Sequence, residues 1–507
     1  MNWFAIGIDP LLDFLEKRLS GITMCSIPAS GPCSQDGTPP SPTEEKYRII
    51  GYADDLKPSV SSMNEFAIIN HAASLFERRS GCLLHRDPIE GKCRVLALGR
   101  WRNTLQQEDI RYPFMKLSDS LSMLGVDLTP SWQSTRKLNC DYIKSKVKNT
   151  VGSWKSGKQI PLISRPFSLN TYCLSKVWFK AGCVVLRQGD IQDMSSKCKS
   201  WCYQDMFLKP SEVILYREVG QGGLGLIHIE SRCKAKLITV FLQTATNPRF
   251  MESLLHNHLY RYHVLDEHHL PNPGYPPYYT ESFFNTIKKV KNETTLNPVH
   301  MTMKQWYRYL LEENVTMRDV DEEGRKELVP CRIEQGDPNM NWNESYRLSR
   351  LYGLTPLEKS KLFCIIHELL PSNERLSRII PTNHPTCTVC DSGENETYDH
   401  YFFSCLANCG AMQALFRCLQ VYDNDITEAR CLRLEVRAED PFTLPTVILL
   451  ITGISLVWSN RKQKKETTKW SMRAEIEARI QLLRKCRSRR LQESGEIISN
   501  ILENFYS

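Results

Sequence analysis

The sequence lacks any run approaching the ~18 uninterrupted apolar residues of a membrane span. The nearest stretch, Thr446 to Trp458, reads as a buried helix, so no membrane partner is expected. No secretory leader is expected either, because Met1 to Leu19 carries Asp9, Asp13, Glu16, Lys17 and Arg18, which no signal core tolerates. Cysteine is sparse for a disulfide scaffold: 19 in 507 residues, mostly isolated among apolar neighbours. That usage predicts a reducing, intracellular compartment, nucleus and/or cytoplasm. No internal repeat of fixed period is present, which excludes a solenoid. With 41% hydrophobic and 24% charged residues, the composition excludes a mostly disordered or fibrous chain and leaves a globular one of several domains. Charge of one sign is scarce except in one place. The formal net charge is +8, yet Arg461 to Arg490 alone holds 12 Lys or Arg against 3 acids, so the rest sums to −1. A basic tail on a nearly neutral body points to an anionic partner, most simply nucleic acid; a solvated helix end and a nuclear-import signal are the alternatives.

The pattern along the chain predicts an α+β, mostly helical fold. A helix near Pro10 to Leu19 is followed by a Ser/Pro/Gly-rich flexible loop over 27–46 and an apolar strand from Tyr47 to Tyr52. Phe66, Ile69, Ala73 and Phe76 predict a helix over 64–78, and Arg94 to Leu98 a short strand ending at Gly99. Ile143, Val147, Val151 and Trp154 line one side of a helix over 139–154 whose outer face carries Lys144 and Lys148. Helices over 168–184 and 231–246 follow, then the Pro-rich linker Leu270 to Tyr279, a polar and ambiguous region over 296–340, and a helix from Thr355 with Pro356 at its first position. The resulting domain expectation is 1–130, 131–247, a linker region 248–340, 341–425, and a helical region 426–507 with the basic tail.

Three constellations carry chemistry. The apolar strand Ile49-Ile50-Gly51-Tyr52 runs through Ala53 into Asp54-Asp55 before Lys57-Pro58. A hairpin presenting Asp54 at its tip can bind Mg²⁺, a hard ion that takes oxygen ligands; a solvated turn is the alternative. Cys387-x2-Cys390-x9-His400-x4-Cys405 offers four ligands at spacings that let a knuckle and a following helix turn converge on one tetrahedral ion. The acids between them and Gly393 suit an exposed loop, with Cys409 as a substitute ligand, and reduced structural thiols are the alternative. The basic tail sets Trp470 among Lys464, Lys465, Lys469 and Arg473, with Arg484 and Arg487 beyond Ile476, Ile480 and Leu483 at helical spacing. Weaker signals are five histidines between His256 and His269, read as a polar linker helix, and Cys198-x3-Cys202, read as buried thiols. The run Gly222-Gly223-Leu224-Gly225-Leu226, which has no phosphate-loop Lys-Ser/Thr, is read as a tight turn.

The letters Tyr-Ala-Asp-Asp after an apolar strand resemble the catalytic signature of reverse transcriptases, and several stretches agree with the LINE-type, non-LTR retrotransposon group. FAIGIDPLLDFLEKRL (4–19) resembles the palm helix before that hairpin, and SGCLLHRDPIEGKCRVLALGRW (80–101) is similar to the next palm element. Leu124-Gly125-Val126 resembles the primer-side turn, 154–178 the thumb helices, and 222–226 the turn after the thumb. LFCIIHELLPSNERL (362–376) with the Cys/His set resembles the zinc-binding segment downstream of the polymerase.

The resemblance implies an RNA-directed DNA polymerase fragment with a partial palm, a helical thumb, a structural Zn²⁺ region and a basic helical tail. Its catalytic and Mg²⁺ residues would be Asp54 and Asp55 of a two-metal site, with Tyr52, Lys92 and Gly125 near nucleotide and primer. Zn²⁺ would sit on Cys387, Cys390, His400 and Cys405. Lys144, Lys148, Lys464, Lys465, Lys469, Arg473, Arg484 and Arg487 would contact RNA template and DNA target or primer, and dNTPs would be the only small-molecule substrate. A further aspartate on an earlier palm strand has no counterpart upstream, so the site is expected to be catalytically incomplete; the other expectation is a non-catalytic nucleic-acid-binding protein.

Overall fold

The computed structural model describes residues 11–20, 22–25, 44–47, 49–52, 55–80, 93–154, 160–245, 285–292, 297–315, 318–320, 326–328, 334, 338–390, 392–437 and 441–503. Among the described residues helices dominate, and the strands form five two-stranded sheets, an α+β arrangement of the helical kind expected. The described chain gathers into two units, each drawn from three stretches.

The first unit comprises Met1–Val147, Lys176–Gln192 and Ile229–Leu310. Strand Ile49–Tyr52 pairs antiparallel with Asp55–Pro58, Tyr52 opposite Asp55 and Ile49 opposite Pro58, so the connection is residues 53 and 54. Lys57 and Pro58 are therefore paired strand residues, not a turn. The strand expected over Tyr47 to Tyr52 begins at Ile49, and Glu44–Tyr47 pairs instead with Ile22–Cys25, so the last residues of the expected loop are strand. Strand Glu44–Tyr47 begins where the Ser/Pro-rich composition stops, after Pro42 and Thr43.

Helix Glu65–Ser80 puts Phe66, Ile69 and Ala72 on one side. Ala72 packs with Leu11, Leu15 and Leu19, whose i,i+4 spacing marks the helix over 11–18, while Phe66 packs with Ile110 and Met115. Glu65 is buried and accepts hydrogen bonds from the Ser61 backbone and hydroxyl and from the Ser62 hydroxyl, which holds the first turn. The strand expected to reach Leu98 stops at Val95, paired parallel with Lys116–Leu117; the chain then enters a 3₁₀ turn at Gly99, which has φ +55°.

Hairpin Leu121–Met123/Val126–Leu128 turns at Leu124 and Gly125, both at positive φ (50° and 81°), the mirror-image turn whose twist matches the paired strands. Its second strand is read by fully buried Asn139 of helix Trp132–Ser153, which donates to the Asp127 carbonyl at 2.7 Å and accepts from its N–H at 3.1 Å. A further core joins Ala235 and Ile238 of helix Ile229–Ala245, Ile287 and Val290 of the helix over 285–292, and Trp306 and Leu310 of helix Met303–Asn314. That last helix lies in the region whose sequence is polar and ambiguous, and its first turn is closed by a Thr302/Gln305 capping pair. The five-histidine stretch and the linker at 270–279 lie outside the described residues.

The second unit comprises Lys148–Ser175, Asp193–His228 and Leu311–Ser507. Its axis is helix Thr443–Lys462, against which pack Pro356–Ile366, Cys409–Gln420, Lys469–Arg484 and Arg489–Glu503. By length and composition this axial helix would suffice to cross a membrane, but most of it is buried in the unit, as expected for a core helix. Gly453 lets a partner come close, because a Cβ there would lie 2.3 Å from Leu415. The helix from Pro356 has the anticipated cap: Thr355 Oγ1 accepts from Glu358 N, and the Glu358 carboxylate accepts from Thr355 N at 2.7 Å. Cys198 and Cys202 are buried thiols, as expected, in a helix whose Trp201 packs on Trp154.

The glycine run is a tight turn. Gly222 and Gly225 have φ of +80° and +71°, and a Cβ on Gly223 would meet the Arg217 carbonyl oxygen at 2.0 Å. Around this turn a polar cluster closes. Arg217 donates to Glu334 at 2.9 Å, the Tyr346 hydroxyl donates to the same carboxylate at 2.7 Å, and Arg350 donates to the Gly223 carbonyl at 2.8 Å. His367 donates through Nε2 to the Gly222 carbonyl at 2.9 Å, with its ring stacked on Tyr346 and Nδ1 buried without a partner.

Burial lowers the His367 pKa to about 4 from an ordinary 6.5. A histidine depressed in the folded state binds fewer protons folded than unfolded between those values, so its contribution is full above pH 6.5 and is lost as pH falls toward 4. The urea midpoint is expected to fall across that window by an amount equivalent to ~3 kcal/mol. In His367→Gln that part of the pH dependence should disappear, and an identical pH profile in the variant would contradict the assignment.

Candidate metal centre

Local backbone geometry draws four ligands together. The segment 385–396 folds back on itself: Cys387 N donates to the Glu394 carbonyl at 2.9 Å, Glu396 N donates to the Pro385 carbonyl at 2.8 Å, and Gly393 turns the chain at φ +74°. The chain then enters a short wide-turn helix, His400–Ser404, which Cys405 closes by donating its N–H to the His400 carbonyl. The ligand atoms of Cys387, Cys390, His400 and Cys405 lie within 4.8 Å of one another, and all four residues are buried.

Cys387 Sγ is 3.9 Å from Cys405 Sγ, and Cys390 Sγ is 3.3 Å from His400 Nε2. A tetrahedral ion with sulfurs at ~2.3 Å and nitrogen at ~2.0 Å requires edges of ~3.8 and ~3.5 Å, so the set is sized to hold a metal ion such as zinc. Four protein ligands complete a tetrahedron, which suits a structural rather than a catalytic role.

His400 Nδ1 is held at 2.6 Å by Glu394, so Nε2 is the nitrogen turned to the thiols, the carboxylate–histidine arrangement that orients metal-bound imidazoles. Burial raises the Cys387 thiol and pushes Cys405 well above the ordinary thiol range. Burial opposes ionisation of Cys390 too, yet hydrogen bonds from Ser392, His400 and Cys405 draw it down to about 6. Cys390 is thus the thiol of the three whose ionisation its surroundings favour.

The knuckle is pinned to the axial helix. Arg461 donates to Glu396 at 2.8 and 2.6 Å and to Asn373 Oδ1 at 2.9 Å, and Asn373 N donates to the same carboxylate at 2.8 Å. Tyr401 and Phe402, both fully buried, pack on Trp458, and the Tyr401 hydroxyl donates to the Val457 carbonyl at 2.9 Å. Glu396 is thus fully buried rather than part of an exposed acidic loop. Residue type and spacing do not distinguish it from Glu394, because its partner is 65 residues away. Cys409 is not in the cluster; it begins the next helix, with its thiol toward the Leu406 carbonyl.

The other anticipated residues fall in several places. Tyr52 and Asp55 form the closing pair of their hairpin, and Gly125 sits in a hairpin turn. Asp54 and Lys92 lie outside the described residues. Lys144 is half-buried and pairs with Asp190 at 3.4 Å, so its ammonium already has a structural partner, whereas Lys148 is exposed. In the basic tail Lys464, Lys465, Lys469, Arg484 and Arg487 are exposed. Arg473 pairs with Glu477 and Arg484 donates to Ser499, while Arg461 and Arg479 are taken up by Glu396 and Glu358. The helical spacing holds: Ile476, Ile480 and Leu483 are buried.

Searched against known protein families and against curated proteins, the chain matches none.

Purified without added metal, the chain is expected to hold about one ion, lost in the joint Cys387→Ser, Cys390→Ser variant. Glu394→Gln should keep the ion but weaken its affinity ~10- to 100-fold in chelator competition. A chain that holds no ion and gains no thermal stability from added zinc would remove the site.

Proposed function

We propose that the chain is a nucleic-acid-binding protein of LINE-type descent, in which a structural Zn²⁺ on Cys387, Cys390, His400 and Cys405 fixes the shape of a basic surface. The observation that carries this reading is the tie from the buried Cys/His knuckle to Arg461, the residue that precedes the exposed Lys464, Lys465 and Lys469 by less than ten positions. Zinc needs soft or borderline ligands and no open position for this purpose, and three thiols with one imidazole meet that need. Lysines on a rigid scaffold neutralise phosphates irrespective of sequence, so binding to RNA and DNA follows from the same groups.

A second reading, a reverse transcriptase fragment, is favoured by the hairpin whose two-residue connection is Ala53-Asp54. There Asp54 and Asp55 would supply carboxylate oxygens to Mg²⁺ and dNTPs would be consumed. Primer extension by the full chain that requires Mg²⁺ and vanishes in Asp54→Ala would establish polymerase activity, and its absence at any Mg²⁺ concentration would leave binding alone.

Truncation at 461 would remove the buried residues of two core helices, so charge substitutions are the cleaner test of binding. The triple variant Lys464→Gln, Lys465→Gln, Lys469→Gln should fold normally and bind all sequences more weakly. Its log affinity against log salt should be shallower by ~0.7–0.9 for each phosphate that is no longer neutralised. An unchanged slope would show that these lysines do not touch phosphate.

A further inference from the structure

Among the described residues, the two most exposed large apolar side chains are Trp470 at 75% and Leu406 at 73%. They are 64 positions apart in sequence, yet the fold brings their segments together. Thr467 N donates to the Ala407 carbonyl at 3.1 Å and to Asn408 Oδ1 at 3.3 Å, and Asn408, fully buried, donates in turn to the Tyr401 carbonyl. Leu406 follows the ligand Cys405 directly, and Trp470 lies in the first turn of helix Lys469–Arg484. Both side chains are thus exposed on segments that are bonded to each other.

The surrounding charge indicates what kind of ligand fits there. Lys464, Lys465 and Lys469 are all exposed within six residues of Trp470. Lys464 occupies the left-handed position (φ 52°) that ends helix Thr443–Lys462, with Lys464 N bonded to the Arg461 carbonyl and Lys465 N to the Asn460 carbonyl. Glycine is the residue such a helix end favours, so a lysine there is held at a conformational cost.

We propose that Trp470 and Leu406 form a stacking platform for an unpaired base of a single-stranded nucleic acid, whose phosphates are met by Lys464, Lys465 and Lys469. The proposal rests on the nucleic-acid-binding reading above and names its ligand class. A duplex hides the faces of its bases, whereas a single strand offers a π-face to an indole and a backbone to flanking cations; this pairing recurs wherever single strands are held without sequence preference.

The test is equilibrium binding of the full chain to a single-stranded oligonucleotide, as RNA and as DNA, and to the duplex of the same sequence. Trp470→Ala is expected to lose on the order of 10-fold in affinity for the single strand while duplex affinity changes less than about twofold. Trp470→Phe should retain most of it, with metal content and melting temperature unchanged in both. Lys464→Gly should melt higher than the parent and bind less tightly. Wild-type affinity for the single strand in Trp470→Ala, or equal losses on single strand and duplex, overturns the platform and leaves the binding reading intact. Failure of the parent chain to bind any of the three probes overturns both.

Discussion

The ion pair between Arg461 and Glu396 organises the second unit. Glu396 is wholly removed from water and Arg461 nearly so, and each is also bonded to Asn373. Removing one partner of a buried pair leaves an uncompensated charge at a cost of ~3–5 kcal/mol, so the knuckle, the short helix Asn373–Ser377 and the axial helix are obliged to stay together. The guanidinium also lies over the Trp458 ring, which in turn packs against Tyr401 and Phe402 between the last two ligands. The Cys/His cluster, the aromatic packing and the ion pair therefore constrain one another.

What was legible in the sequence was local. The Thr355-Pro356 start and the glycine run each specify their backbone within a few residues, and each formed as read. The same kind of signal at Thr302-x-x-Gln305 stood in plain view but was masked by a polar neighbourhood, because the helix it starts needs Trp306 and Leu310 to be covered by residues near 238 and 287. The four metal ligands were readable since their spacing is itself the chemistry. Glu394 and Glu396 were not separable, because one owes its place to a histidine six residues on and the other to an arginine in a different helix. Cys405 and Cys409 likewise differ only in which side of a helix start their sulfurs take.

Counting charges along the tail overstated what it offers to a partner and understated what it does for the fold. Arg461 and Arg479 each meet a carboxylate from elsewhere in the unit, while Ile476, Ile480 and Leu483 anchor the helix between them. The tail is thus a core element with a basic outer edge, and the charges available to an anionic ligand are the exposed lysines at its start and the arginines toward its end. Rigid placement changes how such charges act. A floppy basic tail would meet phosphates diffusely and lose backbone entropy on binding, whereas lysines whose backbone is fixed between two packed helices have already lost that part on folding.

The same logic bears on what a metal would add. The segment 385–405 must turn sharply at Gly393, return through a wide helical turn and present Leu406 to solvent beside the helix start at Lys469. That path is held by the Arg461–Glu396 pair and by buried Tyr401 and Phe402 on Trp458, while burial disfavours ionisation of the Cys387 and Cys405 thiols. A cation among the four ligands would offset that penalty and fix the position of Cys405, and hence of Leu406 after it. The ligand set is closed, so the ion's contribution is to position rather than to react, and any chemistry the chain performs has to reside in other residues.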